Sequence, residues 1–323
     1  MLNDKASEHR ISVETENLVR RIALELGYRP NHVARGLRLR TTHTLGLVAP
    51  DVSNPFFASI VKRVQTVAHD LGYSLVVCNT NEDTDLEMEH LSLLGRKRVD
   101  GLLAMPVGQD ASEYHSWLGT GVPLVLLDRC FDDLDVPSVV VDNYSGAYEA
   151  TSFLAGAGHR RIAFIQGLPG TYTNSERVRG YRAALADHDI PANDDLIVGS
   201  DFREENGYIE TKLLLSRDDR PTAIFAGSDL ITLGALKAIY EEGMDLPGDI
   251  SLVSFDDFDF APYLKCPLTV VRQPKELMGE VAVKLLVEQL HNPDAERKRV
   301  VLKPELLVRD SVSVVAGGKI STR

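Results

Sequence analysis

The chain is poor in the features that mark secreted, membrane-bound or catalytic proteins. It has three cysteines in 323 residues, Cys78, Cys130 and Cys266, with no C-x-x-C spacing. That excludes a disulfide framework or a structural zinc site and points to a reducing cytoplasm. No apolar run approaches the roughly 20 residues of a membrane span. The opening MLNDKASEHR lacks the apolar stretch of a signal peptide. GxSxG, HExxH and GxxxxGK[ST] are missing, and no GxGxxG follows a strand. The nine histidines are scattered without metal-ligand spacing. Catalysis, a cofactor and a metal are therefore not expected.

The length fits about two domains of about 150 residues each. Net charge is −12, unevenly placed. Residues 1–43 carry eight basic and five acidic side chains, so the rest of the chain holds −15. Arg29, Arg35, Arg38 and Arg40 follow one another with no acid between them. An acidic body with a basic arm implies a polyanion contact confined to the arm.

Residues 12–26 read as a helix, with Ser12 as cap and Leu18, Ile22 and Leu26 as its apolar stripe. Gly27 supplies a stop, and Pro30 opens a second helix too short to be stable alone. After Thr44 the pattern changes. LGLVAP (45–50), SLVVCN (74–79), GLLAMP (101–106) and PLVLLD (123–128) read as buried strands, separated by helices at 56–71 and 85–95. The rhythm restarts with strands at 161–167, 196–199, 222–227 and 250–256 and helices at 177–187, 204–216 and 230–242. A helix at 274–291 and late strands in 301–310 follow. Continuous apolar strands alternating with helices predict α/β architecture: two doubly wound parallel-sheet lobes in tandem.

Ligands of such sheets sit beyond the carboxyl ends of the strands. The residues found there are Asp51, Asn54, Phe56 and Phe57; Asp128 and Arg129; Arg177; Asp201 and Phe202; Ser228 and Asp229; and Asp256 and Asp257. Arg272 and Gln273 fall between the lobes. Carboxylates and guanidinium groups can take paired hydroxyls while aromatic faces cover C–H faces, so the set fits a neutral polyol. Asp229 directly precedes a helix and reads as its cap. Phe56 and Phe57 fit helix-start packing as well as a site. Cys130 has no evident base partner.

ELGYRPNHVARGLRLRTTHTLGLVAPDVSNPFF (25–57) resembles the hinge and first core strand of the lactose-repressor family of bacterial transcription regulators. DGLLAMP, VPLVLLDR, the D-N-x-x-G at Asp142–Gly146, GHRRIAFIQG, ERVRGYRAAL, PTAIFAGSDLITLGAL, LPGDISLVSFDD and PLTVVRQP extend the resemblance in order to about residue 312. It implies a DNA-binding head, a hinge helix and an effector core shaped like periplasmic sugar-binding proteins. The implied parts are a partial head and hinge helix at 1–43, one lobe from 44–143 plus 275–302, a second from 144–274 plus 303–313, and a tail at 314–323. It makes Asn54, Phe56, Phe57, Asp128, Arg129, Arg177, Phe202, Ser228, Asp256 and Gln273 the effector positions, with a pentose or hexose as ligand. Sugar-binding relatives often carry Asn where Ser228 stands, which leaves the sugar's identity open. Purine fits less well beside Asp128 and Gln273.

In that family about twenty further residues precede the segment aligned with Met1-Leu2-Asn3. Two helices of the helix-turn-helix are then absent here, through a late start codon or a truncation. Leu37 resembles the wedge inserted in the minor groove, Arg35 and Arg38 would lie on phosphates, and Arg29, Asn31 and Ala34 complete the DNA-contact candidates. The resemblance implies a sugar-responsive repressor, homodimeric on pseudo-palindromic operator DNA, with no membrane partner. A stand-alone sugar-binding protein of the same core fold is the alternative, and an enzyme on this scaffold is disfavoured for want of an acid–base pair.

Overall fold

The computed structural model describes residues 12–26 and 41–315. The chain divides near Thr44 into two units. Of the first, helix α1 (Val13–Glu25) is described, with Ser12 Oγ accepting from Thr15 N at 3.2 Å as the sequence predicts for a cap. Its stripe residues Leu18, Ile22 and Leu26 are exposed. Gly27, the short helix after Pro30 and the candidates Arg29, Asn31, Ala34, Arg35, Leu37 and Arg38 lie outside the described residues.

The second unit holds two six-stranded sheets. Strands β1 (Thr44–Ala49), β2 (Ser74–Asn79), β3 (Gly101–Ala104), β4 (Leu124–Leu127), β5 (Ser138–Val141) and β11 (Arg299–Leu302) form the first, in the order β11-β5-β4-β3-β1-β2. Strands β6 (Ile162–Ile165), β7 (Ile197–Val198), β8 (Ala223–Ala226), β9 (Ser251–Phe255), β10 (Thr269–Arg272) and β12 (Glu305–Leu307) form the second, in the order β12-β10-β9-β8-β6-β7. The pairings β1–β3, β3–β4, β4–β5, β5–β11, β6–β7, β6–β8, β8–β9 and β9–β10 are parallel, whereas β10–β12 is antiparallel. Helices α2 (Pro55–Asp70), α3 (Thr84–Lys97), α4 (Ser112–Leu118) and α9 (Lys275–His291) belong with the first sheet. Helices α5 (Asn143–Gly156), α6 (Tyr172–Asp187), α7 (Glu204–Leu215) and α8 (Asp229–Glu241) belong with the second. Central strands such as β3, β4 and β8 are buried along their whole length, which is why they read as unbroken apolar runs.

The chain passes between sheets three times: from β5 into α5, from β10 into α9, and from β11 to β12. The first and third passages are tied together, since Asp142 N donates to Leu302 O at 2.9 Å. Asp142 also caps α5 by accepting from Ser145 N at 2.9 Å.

Some expectations need correction. SLVVCN is not a buried strand: β2 lies at the sheet edge, with Val76 and Val77 exposed. An apolar run alone does not distinguish an edge from a centre. α6 begins at Tyr172, five residues before the expected start, and α4, β5, α5 and β10 were not anticipated as elements. β5 is four residues long after Pro137. α5 buries Gly146, Ala147, Ala150, Thr151 and Ala155, small residues that leave no obvious stripe, with Leu154 among them.

α7 and α8 pack through facing glycines. A Cβ on Gly207 would meet Ile231 O at 2.1 Å, and one on Gly234 would meet Glu204 O at 2.0 Å. Both obstacles are backbone, so neither can swing aside. Gly234→Ala should cost about 1–3 kcal/mol or more by pushing the helices apart. Gly95→Ala in α3, whose new methyl would meet only a Trp117 ring atom at 3.8 Å, should be neutral or stabilising by up to about 1 kcal/mol. Urea denaturation of both variants checks the contrast.

Candidate functional site

The strand ends of the two sheets converge on a cavity of about 30 Å³ lined by Asn54, Phe56, Phe57, Asp128, Arg129, Thr173, Arg177, Phe202, Ser228, Asp229 and Asp256. A single water needs roughly 10–15 Å³. The lobes are thus drawn together around a space for water-sized guests, and a larger one requires them to part.

Nine of the ten effector candidates line this space. The tenth, Gln273, is buried one step back and donates through Nε2 to Asp256 Oδ1. Two lining residues were missed. Thr173 sits in the first turn of α6, where a helix start read too late concealed it. Asp229 was assigned to capping, but the cap is Ser228: its Oγ accepts from Ile231 N at 3.3 Å, and Asp229 is the first residue of α8. The Asp229 carboxylate accepts from Leu230 N at 2.7 Å and from Asn54 Nδ2 at 3.3 Å. Asp51, Asp201 and Asp257 do not line the cavity. Asp51 accepts from Ser53, Asp201 from Arg203 N, and Asp257 pairs with Arg309. Arg272 pairs with Glu305 on the surface.

Local structure explains how each side chain is aimed. Asn54 caps α2 through Oδ1, accepting from Phe56 N at 2.8 Å, and Pro55 starts the helix. That entry sets Phe56 and Phe57 edge to face, ring centres 5.1 Å apart, both in the first lobe's core and on the cavity wall. Asp128 after β4 and Asp256 after β9 both adopt left-handed backbone, φ 67° and 81°. Such strain at a strand end is characteristic of functional positions. Phe202 folds over Gly167, where a Cβ would strike its ring.

The arginines are built in. Arg177 Nε donates to Asn143 Oδ1 at 2.8 Å and Nη1 to Gly227 O at 2.6 Å, with its guanidinium 3.7 Å from the centre of the Phe255 ring. Arg129 lies 5.9 Å from the ring of Phe57 and 5.4 Å from that of Phe202. The Arg129–Phe202 and Asn54–Asp229 contacts join opposite lobes, as does Gln109 Nε2 donating to Pro169 O at 2.8 Å.

Burial raises Asp128 to about 6, although Arg129 and Arg177 pull against it. Burial likewise raises Asp229 to about 6, with neighbouring Asp256 adding to the effect. Asp256 is also raised by burial and is held back chiefly by Arg177. The walls thus offer carboxylate acceptors, guanidinium donors and aromatic faces. Cys130 is buried and its thiol is pushed up to about 11, so it remains protonated and is no nucleophile.

A periplasmic binding protein-like domain profile matches residues 151–312. The chain is 36% identical to the ribose operon repressor of Haemophilus influenzae over 302 residues, 94% of this chain and 91% of that one. It is 34% identical to the transcriptional repressor PurR of Aliivibrio fischeri over 308 residues, again 94% and 91%. Among solved structures, a LacI family transcriptional regulator from Enterococcus faecium with bound ribose matches with a TM-score of 0.77 at 27% identity, covering 84% of this chain and 99% of that one.

The raised carboxylates make stability depend on pH. An unfolded aspartate ionises near 3.8, and folded Asp128 near 6. The folded state holds the extra proton between these values. Stability therefore falls as pH rises through that window and levels off above it. Asp128→Asn keeps a residue tolerant of left-handed backbone. It should stabilise the protein by about 3 kcal/mol at pH 7.5 and by only about 0.5 kcal/mol at pH 4. Urea titrations at the two pH values check this, and destabilisation at pH 7.5 would contradict it.

Proposed function

The chain belongs to the LacI family of transcriptional regulators, and from that premise we propose that it is a repressor whose hold on operator DNA is set by a ribose-like pentose bound between its lobes. The observation that carries the proposal is the cavity itself, in which acceptors, donors and aromatic faces from both sheets surround one point. The ribose operon repressor of Haemophilus influenzae and the ribose-bound regulator support a pentose. Repressor relatives also favour a regulator over a stand-alone sugar-binding protein, and they are not enzymes.

The proposed effector residues are Asn54, Phe56, Phe57, Asp128, Arg129, Arg177, Phe202, Ser228, Asp256 and Gln273. In the proposed complex, sugar hydroxyls donate to the carboxylates of Asp128 and Asp256 and accept from the free N–H groups of Arg129 and Arg177. Phe57 and Phe202 cover the C–H faces of the ring. The lobes that close on it are taken as 44–143 plus 275–302 and 144–274 plus 303–313.

The ligand acts by changing the angle between lobes about the three passages. The basic segment around Arg29, Asn31, Ala34, Arg35, Leu37 and Arg38 contacts DNA in this proposal, so lobe angle sets where two such segments stand. Two copies would pair, which accords with the exposed edge of β2, where Leu71, Val76 and Val77 lie open. The cytoplasm is the proposed compartment, and among the described residues no helix is long and apolar enough to cross a membrane.

A coupling of about 2–3 kcal/mol would change DNA affinity roughly 30- to 150-fold. Calorimetry should detect D-ribose binding, and gel retention on the gene's own upstream duplex should shift by tens of fold when ribose is added. Absence of heat with every pentose and hexose tried would remove the sugar, and unchanged retention would remove the coupling.

A further inference from the structure

Glu82 does not line the cavity, yet it holds one of the cavity's two arginines. Its carboxylate accepts from Arg129 twice, Nη1 to Oε2 at 2.8 Å and Nη2 to Oε1 at 2.7 Å. This is the planar fork that guanidinium and carboxylate form best. Arg129 Nη1 also donates to Pro106 O at 3.1 Å. A guanidinium has five N–H donors. Two are left over, and Nε is buried without a hydrogen-bond partner, with Asp128 Oδ2 at 3.9 Å. Phe57 and Phe202 lie within 6 Å of the guanidinium, and the N–H groups that Glu82 leaves free are the ones a ligand acceptor can use.

The placement of Glu82 is heavily determined. It has φ 58° and directly follows Asn81 at φ 52°, two successive left-handed residues that are not glycine. Such a turn persists only where its surroundings enforce it. Glu82 N donates to Pro50 O at 3.1 Å, Asp83 N to Thr80 O at 3.0 Å, and Asn79 Nδ2 to Asn81 Oδ1 at 2.6 Å. Asn79 Oδ1 also accepts from Val52 N at 2.8 Å. The loop carrying Glu82 is thereby tied to the loop leading into Asn54.

Charge gives this arrangement a consequence for ligand choice. Asp128, Asp229 and Asp256 line the cavity together with Arg129 and Arg177. Glu82 neutralises Arg129, leaving three carboxylates against the guanidinium of Arg177 and the ammonium of Lys275, which acts on Asp229 and Asp256, so the balance stays negative. A ligand bearing its own negative charge would meet repulsion in a poorly screened interior. We infer that Glu82 is a positioning and specificity residue: it aims the free edge of Arg129 at the ligand and makes the cleft select an uncharged sugar over its phosphate ester. This rests on the sugar-binding function proposed above. The balance of burial and partners agrees with it: burial works against the charge of Arg129, and Glu82, together with Asp128 and Glu87, more than restores it.

The test is calorimetry with D-ribose and D-ribose 5-phosphate on the wild-type chain, Glu82→Gln and Glu82→Asp, with melting curves to establish folding. The wild type should bind ribose at least 100-fold more tightly than the phosphate. Glu82→Gln should weaken ribose at least tenfold and narrow the ratio at least tenfold, because a cation is released into the site. Glu82→Asp keeps the charge but shortens the reach, so ribose should weaken while the ratio holds. A merely structural role would weaken both ligands equally, and an unchanged ratio in Glu82→Gln overturns the inference. So does loss of discrimination in a folded Glu82→Asp. If the wild type binds ribose but discriminates poorly, the inference fails and the sugar site stands. If it binds neither ligand, the sugar site falls and the inference with it.

Discussion

Asp128 ends a strand of one sheet and Asp256 a strand of the other, and both act on the buried guanidinium group of Arg177. Much else in the core serves this meeting of charges. Each aspartate leaves its strand in left-handed backbone. Each arginine is braced from behind, Arg129 by Glu82 and Arg177 by Asn143 and Gly227 O. Gln273 supports Asp256 from the passage between β10 and α9. Because each sheet supplies part of the charge set, the distance between lobes is also an electrostatic variable.

The charge arrangement of the site is costly. Burial holds three carboxylates above their ordinary range, and Arg129 keeps an N–H with no acceptor. Functional sites commonly sacrifice stability in this way. A guest with both donors and acceptors removes several of these penalties together. The Asn54–Asp229 bond, at 3.3 Å, is the weaker kind of contact that such a guest can replace. Arg177 is different: it also anchors Asn143, the first residue after the β5 passage, so it reports on lobe geometry as well as on occupancy.

The sheet architecture was legible because parallel strands buried on both faces leave continuous apolar runs, and the strand-end rule then located ten of the eleven lining residues, Asp229 among them though read as a cap. Loss of legibility had local causes. α5 packs through small residues, so its pattern has no stripe. β5 and β10 are four residues long, but so are β3, β4, β6 and β8, which do stand out, so length does not account for them. Asp229 was misassigned because a residue before a helix normally caps it, and here Ser228 performs that task one position earlier. Glu82 was invisible for a different reason. Its partner is 47 residues away, and nothing in the local pattern of a polar loop announces a buried fork.

The second passage, from β10 into α9, has a bearing on biosynthesis. The first sheet is bounded on one side by β11, and its core includes Met278, Ala282, Val283 and Leu286 of α9. These residues lie more than a hundred positions beyond the rest of their lobe. A ribosome delivers chain from the amino end, and domains generally fold as units. The lobe that is translated first therefore cannot close until nearly the whole polypeptide has emerged, and its apolar face stays open to cellular holdases while the other lobe is still being made.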